Sequence, residues 1–376
     1  MKYVFKKKRN LFLAAILDFL GYAALGLSRH RRRKNIKPEP KHVLVIRMDH
    51  IGDVLLATAV PKAVKEGFPA CRVSFLTASW AAPLLENNPF VDEVIIYDAP
   101  WFAKKRYKRG PGGLSFMGLV RKLKRSNFDA ALGLRGDLRE NLIMALAGIT
   151  ERVGYGITGG GFLLTKEVLY RRLAHESERV AELLRALGAG ETRVEPRIYF
   201  SSLEEAALPA KLLPFGLSPA DRCIVFQADA GTTAKEWSPG VKKDFLNMLL
   251  RSFPDYKILQ VGSGRERLEA SDSRLVDLSG KTSLRDLCLV VRSAKAFVGF
   301  DSGPTHIAAA LGVPTVFLYS GTNAYEQWKP LFDNAFVLRH PVACSPCGLE
   351  VCNVKGHPCM SGIKPERALK ILERIL

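Results

Sequence analysis

The sequence lacks several signatures that would assign a function at once. No Walker A motif occurs in its 376 residues, and no GxGxxG follows the first predicted strand. These absences count against a P-loop ATPase and against a dinucleotide-dependent oxidoreductase, which stays a distant alternative. No repeat of solenoid length is present. No small-residue cleavage site follows the first apolar stretch, so we predict no cleavable signal and expect a protein that works in the cytoplasm.

Acidic residues are scarce relative to basic ones. The chain has 37 Asp and Glu against 56 Lys and Arg, a net charge of +19. The excess is concentrated in two segments. Residues 1–40 have eleven Lys or Arg and two acidic residues, and Lys104–Arg125 has nine Lys or Arg and no acidic residue. Such surfaces favour an anionic partner. Neither segment has the interleaved aromatic residues of a single-strand binder, so no nucleic-acid partner is expected.

The first forty residues form a separate segment by composition. Leu11–Leu27 is apolar apart from Asp18, with basic runs on both sides. Seventeen helical residues reach about 25 Å, short of the roughly 30 Å hydrocarbon core, and Asp18 would add to the cost of spanning it. We predict a helix lying in the anionic inner-membrane interface. A membrane span and a helix packed on the protein itself are the alternatives.

The rest of the chain alternates apolar strand patterns with helical patterns. This alternation predicts an α/β protein with doubly wound parallel sheets. The first series runs over residues 41–202 and the second over 203–376, with a proline-rich junction at about Glu195–Ala220. Two Rossmann-like domains of this kind would face a cleft that binds ligands at the strand ends. The predicted strands are Val43–Ile46, Arg72–Leu76, Glu93–Tyr97, Ala130–Leu134, Cys223–Gln227, Lys257–Val261, Ala296–Phe300, Thr315–Leu318 and Ala335–Leu338.

Three motifs follow predicted strands. The first, Arg47–Asp53 (RMDHIGD), ends with a carboxylate near a helix start. Asp53 is either an N-cap or a general base held at the cleft. The second, Ala230–Trp237 (AGTTAKEW), places hydroxyls and Lys235 in one loop. This composition suits a diphosphate, although a solvated surface loop is the alternative.

The third motif, Gly299–His306 (GFDSGPTH), joins a strand to a helix through an Asp-Ser-Gly turn. Ser302 is a candidate N-cap, and the free N–H groups at a helix start attract anions. Asp301 could accept hydrogen bonds from sugar or ribose hydroxyls. His306 is as readily a structural histidine as a ligand-binding one.

Together these segments resemble glycosyltransferase family 9, the heptosyltransferase family of lipopolysaccharide core assembly. The resemblance extends over about residues 42–376 and is strongest at Val298–Val316 (VGFDSGPTHIAAALGVPTV). Further similar segments are Val43–Pro69, Phe128–Asp137 (FDAALGLRGD), Arg152–Gly156 (RVGYG) and His175–Glu176.

The resemblance implies a GT-B fold and an inverting transfer, usually from ADP-heptose, that requires no metal or other cofactor. Asp53 matches the catalytic base of the family, Lys235 its donor-phosphate lysine and Asp301 the acid of its donor site. The other residues in the donor-binding segments are Thr232, Thr233, Glu266, Ser302, Gly303, Thr305 and His306. The implied partners are a nucleotide sugar and an anionic glycolipid at the cytoplasmic face of a bacterial inner membrane.

The acceptor is expected to contact the basic stretch around residues 104–109. A solvated loop is the alternative, although a glycine-rich stretch follows it, as suits a mobile contact. The expected acceptor-binding residues are Lys104, Lys105, Arg106, Arg109 and Arg135.

Four of the seven cysteines are close together in sequence: Cys344, Cys347, Cys352 and Cys359. Four thiolates at this spacing could bind a structural zinc ion. Reduced thiols are the other interpretation, and a disulfide pair is less consistent with a cytoplasmic protein.

Two further functions compete with heptosyl transfer. A UDP- or GDP-sugar transferase of another surface glycan would keep the fold and change the donor. A non-catalytic nucleotide-sugar-binding membrane protein would not need a carboxylate such as Asp53 at the cleft.

Overall fold

The computed structural model describes residue 3 and residues 8–29, 39–102, 113–190 and 194–376. The chain divides into two compact units, Met1–Pro196 and Arg197–Leu376. Each unit is built on its own parallel sheet with helices in the connections, so the predicted α/β class with two Rossmann-like sheets is confirmed.

The N-terminal unit contains a sheet of six described strands in the order β3-β2-β1-β4-β5-β6, the doubly wound Rossmann order. All pairs are parallel, and β1 lies at the centre with Val43 opposite Val73 and Ala130. The strands are β1 His42–Ile46, β2 Arg72–Thr77, β3 Glu93–Ile96, β4 Ala130–Gly133, β5 Glu151–Gly154 and β6 Lys166–Glu167.

Three helices of this unit begin where a polar side chain satisfies a free N–H group of the first turn. Ser115, Asp137 and His175 each accept a hydrogen bond from the helix that follows them. The helices are α1 Lys8–Arg29, α2 Ile51–Ala57, α3 Val60–Gly67, α4 Phe116–Arg125, α5 Leu138–Leu146 and α6 Glu176–Leu187.

The C-terminal unit repeats the same architecture. Its described strands lie in the order β12-β11-β10-β7-β8-β9, which is the Rossmann order again. The strands are β7 Cys223–Gln227, β8 Lys257–Val261, β9 Leu275–Asp277, β10 Ala296–Phe300, β11 Thr315–Tyr319 and β12 Ala335–Arg339. The helices are α7 Ser202–Leu212, α8 Pro239–Ser252, α9 Leu284–Ser293, α10 Gly303–Ala310, α11 Tyr325–Trp328, α12 Pro358–Ser361 and α13 Pro365–Ile375.

The cores lie on both faces of each sheet. Every residue from Val43 to Ile46 is fully buried, as is every residue from Ala296 to Val298. Strands covered by helices on both faces read as continuous apolar runs, which is why they were predictable from the sequence.

Two helices differ from the sequence prediction. The apolar periodicity of Val54–Val64 predicts a single helix, but the structure has two, α2 and α3. The helix breaks because Pro61 has no N–H to donate to Ala57, and the Thr58 hydroxyl donates to the Leu55 carbonyl oxygen at 2.7 Å. Helix α7 lies within the proline-rich stretch expected to be a junction. A capping box between Ser201 and Glu204 starts it in spite of the proline inside it.

Helix α1 packs against the N-terminal unit, the arrangement that the sequence left as an alternative. Asp18 is buried and accepts a hydrogen bond of 2.6 Å from the backbone N–H of Gly160. In the part of the chain that the structure describes, no helix combines the length and apolar character needed to cross a bilayer.

Candidate functional site

In each sheet the strand order reverses at one point, so that the connections from the two neighbouring central strands leave to opposite faces of the sheet. This switch point lies between β1 and β4 in the N-terminal unit and between β7 and β10 in the C-terminal unit. Ligands of open α/β sheets bind beyond the carboxyl ends of the strands at such points. The three motifs singled out in the sequence follow β1, β7 and β10, so each lies at a switch point.

In the N-terminal unit, Arg47 forms ion pairs with three carboxylates at the end of β1. Its guanidinium lies 2.7 Å from Asp49, 2.9 Å from Asp53 and 2.8 Å from Glu176. Arg47 is 4% exposed, so these contacts replace water almost completely. Glu176, at the start of α6, also contacts Arg179 at 3.4 Å.

The two aspartates of this cluster have opposite pKa shifts. Burial is the largest influence on Asp49 and acts upward, but Arg47 and Arg135 together lower its pKa below the ordinary value. Burial and the nearby Asp49 charge raise the pKa of Asp53, and Arg47 only partly offsets them. Asp49 is therefore a fixed anion, whereas Asp53 holds a proton more readily and is the better base.

Glu140 is a buried acid that the sequence reasoning missed. Its side chain is fully buried in the first turn of α5, and neither carboxyl oxygen has a hydrogen-bond partner among the described residues. Burial, with repulsion from Asp137 and Asp49, raises its pKa to about 8. Glutamates are common in exposed first turns of helices, so no sequence pattern indicates that this one is buried.

In the C-terminal unit, Lys235 bridges the loop after β7 to the end of β10. Its Nζ lies 3.1 Å from the Asp301 carboxylate and 2.9 Å from the Asp301 carbonyl oxygen. Asn323 donates to the same carboxylate at 2.9 Å. The structure thus brings together two residues, 66 positions apart, that the sequence assigned separately to donor binding.

Helix α10 begins beside this pair. Ser302 is its N-cap, but the side chain makes no capping bond and exchanges hydrogen bonds with Gln227 instead. Thr305 also donates to Gln227, at 3.0 Å, and is fully buried. Thr305 therefore fixes the loop from within, while the N–H groups at the start of α10 remain suited to an anion.

Glu266 and its neighbours form a buried charge network in the same unit. Lys242, 1% exposed, contacts Glu236 at 3.0 Å and also pairs with Glu266. Asp229 ties this region to the loop after β8 by accepting from the N–H and the hydroxyl of Ser263, each at 2.8 Å. Glu266 thus has a buried lysine as its partner, and its expected role in donor binding stays a prediction.

The remaining predicted donor residues are Thr232 and Thr233, after β7, and His306, in α10. Thr233 is exposed, and the hydroxyl of Thr232 is buried without a hydrogen-bond partner among the described residues. The His306 ring packs edge-on against Phe317, with centroids 4.8 Å apart. Both the structural and the ligand-binding role of His306 stay predictions.

The predicted acceptor residues are placed only in part. Lys104, Lys105, Arg106 and Arg109 lie outside the described residues. Arg135, which follows β4, pairs with Asp49 and stacks on Phe102 with its guanidinium 4.5 Å from the ring centroid. The Arg135 side chain is 37% exposed, so part of it can contact a ligand beside Arg47 and its three carboxylates.

The sequence profile of "Glycosyltransferase family 9 (heptosyltransferase)" matches residues 116–357, more than half of the chain. The chain belongs to glycosyltransferase family 9. This region includes Glu176, Lys235 and Asp301, whereas Asp53 lies before it. The protein is therefore a glycosyltransferase.

Individual relatives of this family 9 glycosyltransferase resemble it over most of their length. Lipopolysaccharide heptosyltransferase 2 of Salmonella typhimurium is 25% identical over 358 residues, covering 89% of this chain and 98% of the relative. Among solved structures, E. coli ADP-heptose lps heptosyltransferase II superposes with a TM-score of 0.71 at 21% identity, covering 89% and 98%. A family 9 glycosyltransferase from Veillonella parvula superposes with a TM-score of 0.75 at 20% identity. This match covers 91% of this chain and 99% of the Veillonella chain. The fold is thus the GT-B fold of heptosyltransferases.

The four clustered cysteines of this family 9 glycosyltransferase line one cavity of about 20 Å³ in the C-terminal unit. Cys359 is buried and Cys344 is exposed. Within the described residues, no three Cys, His, Asp or Glu side chains converge closely enough to hold a metal ion. None of the four thiols is in a disulfide bond, and both a structural zinc ion and reduced thiols stay predictions for this cluster.

Proposed function

We propose that this protein transfers heptose from ADP-heptose, with inversion, to a lipopolysaccharide core or a related anionic glycolipid. The observation that carries the proposal is the pair of charged clusters at the two switch points of a family 9 glycosyltransferase. Asp53 supplies a buried carboxylate in one unit, and Lys235 with Asp301 forms an ion pair in the other.

The chemistry assigned to Asp53 is proton removal. As the acceptor hydroxyl attacks the anomeric carbon, a bond forms between its oxygen and that carbon, and its proton passes to Asp53. The raised pKa of Asp53 favours this transfer, because a carboxylate with a higher pKa is a stronger base. Arg47 keeps enough of the group ionised to accept the proton.

The chemistry assigned to the C-terminal unit is stabilisation of the leaving group. The bond between the anomeric carbon and the diphosphate oxygen breaks with its electron pair, so negative charge grows on the nucleoside diphosphate. Lys235 and the N–H groups at the start of α10 provide positive charge without a metal ion. Thr233, Ser302 and Gly303 lie in the same loops and supply further hydrogen bonds, while Asp301 accepts from sugar hydroxyls.

The acceptor is assigned to the N-terminal unit, near the exposed part of Arg135. An anionic sugar or phosphate would pair with this guanidinium beside Asp53. The basic stretch around residues 104–109, which follows Phe102 in the sequence, is assigned to the same acceptor by its charge. We place the reaction at the cytoplasmic face of the inner membrane, where such an acceptor would be assembled.

The donor is tested by calorimetric titration of the protein with ADP, UDP, GDP and NAD. Selective binding of ADP is expected. Selective binding of UDP or GDP would keep the glycosyltransferase and replace the donor. Transfer is then measured by mass spectrometry, with ADP-heptose and a deacylated, phosphorylated core oligosaccharide. Absence of product at saturating ADP-heptose would contradict the proposed acceptor class.

A further inference from the structure

Helix α1 has two faces of different character. The residues of α1 that face the N-terminal unit recur at helical spacing and are buried or half-buried: Leu11, Ala14, Ala15, Asp18, Gly21 and Tyr22. Gly21 lies against the ring of Phe162, where an added Cβ would come within 2.4 Å, and Ala14 lies against Gly159. The helix is therefore seated on the unit by a narrow, specific contact.

Asp18 is the acid that counts against a membrane span in the sequence, and it faces inward. One carboxylate oxygen accepts the Gly160 N–H at 2.6 Å, and the other accepts the Tyr3 hydroxyl at 3.0 Å. Gly160 has a φ of +78°, a left-handed conformation that glycine adopts easily. The segment before Gly160, Gly154–Gly159, matches the GxGxxG pattern. A 3-10 turn follows it, whereas a nucleotide-binding motif would be followed by a helix. In this protein Gly159 and Gly160 contact α1 instead.

The opposite face of α1 is apolar and exposed. Phe12, Leu13 and Phe19 are 65%, 57% and 73% exposed, and Ile16, Leu17 and Leu20 are exposed as well. Between residues 11 and 24 the only charged side chain is Asp18, which is turned away. Large apolar surfaces of this kind mark an interaction site.

The charge around this face identifies what covers it. Residues 1–40 carry eleven Lys or Arg against two acids, with basic runs before and after α1. A second copy of the chain would bring two such positive segments together, which is unfavourable. An anionic lipid surface offers both hydrocarbon for the apolar side chains and negative charge for the basic runs.

We propose that the outer face of α1 is a membrane-docking surface, with which the N-terminal unit binds anionic bilayers while α1 lies flat in the interface. A helix of 22 residues is about 33 Å long, enough to spread the contact along the bilayer. Because Asp18 ties α1 to the unit that carries Asp53, docking would hold the proposed acceptor site at a fixed distance from the lipid. This last consequence rests on the proposed function, whereas the docking itself does not.

Two further exposed leucines lie close to α1. Leu169 and Leu173 are 81% and 85% exposed, and Arg172 between them donates to the carbonyl oxygen of Tyr3 at 2.6 Å. Tyr3 in turn donates to Asp18. This loop of apolar and basic residues adds to the surface that the lipid would contact.

The test is co-sedimentation of the full chain with vesicles of phosphatidylcholine, with and without phosphatidylglycerol. We expect strong binding to the anionic vesicles, weakened by high salt. The double variant Phe12→Glu with Phe19→Glu should lower the partition coefficient about a hundredfold, since each side chain would otherwise enter hydrocarbon. The matched control, Leu203→Glu with Leu213→Glu, changes two leucines that are 80% and 73% exposed in the other unit and should bind as the wild type does.

Equal binding of the wild type and the α1 variant would overturn the proposal. A second result would also overturn it: the wild type is a dimer in analytical ultracentrifugation, the α1 variant is a monomer, and both bind vesicles equally. Circular dichroism of both variants should match the wild type, because the changed side chains are exposed. Failure of the proposed function gives a different result: vesicle binding would persist while no protein, wild type included, transfers sugar to a water-soluble acceptor.

Discussion

The guanidinium of Arg47 lies 2.9 Å from the carboxylate of Asp53, and the same buried guanidinium also contacts Asp49 and Glu176. One cation therefore stabilises three carboxylates that would otherwise repel one another at the end of β1. The arrangement makes the protonation of Asp53 depend on charges that do not themselves touch an acceptor. Arg47 and Glu176 are positioning residues in the proposed reaction.

Asp53→Asn should lower the transfer rate by about 10²- to 10⁴-fold, because the amide cannot accept the acceptor proton. Binding of ADP, measured by calorimetry, should be unchanged, since donor binding is assigned to the other unit. Asp255→Asn, at an exposed position of the C-terminal unit, is the matched control and should keep full activity. Near-normal turnover by Asp53→Asn would remove Asp53 from the mechanism.

Glu176→Gln should shift the acidic limb of the kcat/KM profile to lower pH. With one carboxylate neutralised, Arg47 interacts more strongly with Asp53 and lowers its pKa, so the base is ionised at a lower pH. Arg47→Gln should act in the opposite direction, by about one to three pH units, if the variant folds. A purely structural role would instead lower activity equally at all pH values, and pH profiles of Glu176→Gln distinguish the two.

Lys235→Ala should weaken ADP binding by about ten- to a hundredfold, as expected for the loss of a charged hydrogen bond to phosphate. It should also lower kcat, because the charge on the departing diphosphate increases in the transition state. Lys243→Ala removes an exposed lysine of the same unit and serves as the control. Unchanged affinity and turnover in Lys235→Ala would place the diphosphate elsewhere.

Glu140 should make the protein less stable as pH rises. Its pKa is about 8 in the folded state, above the ordinary glutamate value of 4.5, so the folded state binds the proton more tightly than the unfolded chain. The resulting stability is complete below about pH 4.5 and is lost as pH rises through about 8, with a total on the order of 5 kcal/mol. Urea denaturation from pH 5 to 8.5 measures it.

Glu140→Gln cannot titrate, so its stability should depend less on pH, and it should exceed the wild type in stability above pH 8. Glu373→Gln, at an exposed position of α13, should leave the wild-type dependence unaltered. If Glu140→Gln shows the same slope as the wild type, another group is responsible for it.

The sequence by itself determined the βα units and the loops that carry the chemistry. Apolar runs such as Val43–Ile46 specify buried strands, and the polar motifs after β1, β7 and β10 follow directly along the chain. These are local relationships, set by periodicity and turn residues within a few positions. The family resemblance then assigned Asp53, Lys235 and Asp301 before any contact was known.

Only the tertiary structure decided which charges meet and which are removed from water. Arg47 and Glu176 are 129 positions apart, and no local pattern predicts their contact. The same holds for the inward orientation of Asp18, the pairing of Glu266 with Lys242 and the burial of Glu140. Burial and ion pairing depend on which side chains the fold brings within a few ångströms, and the pKa and accessibility of each group follow from that packing.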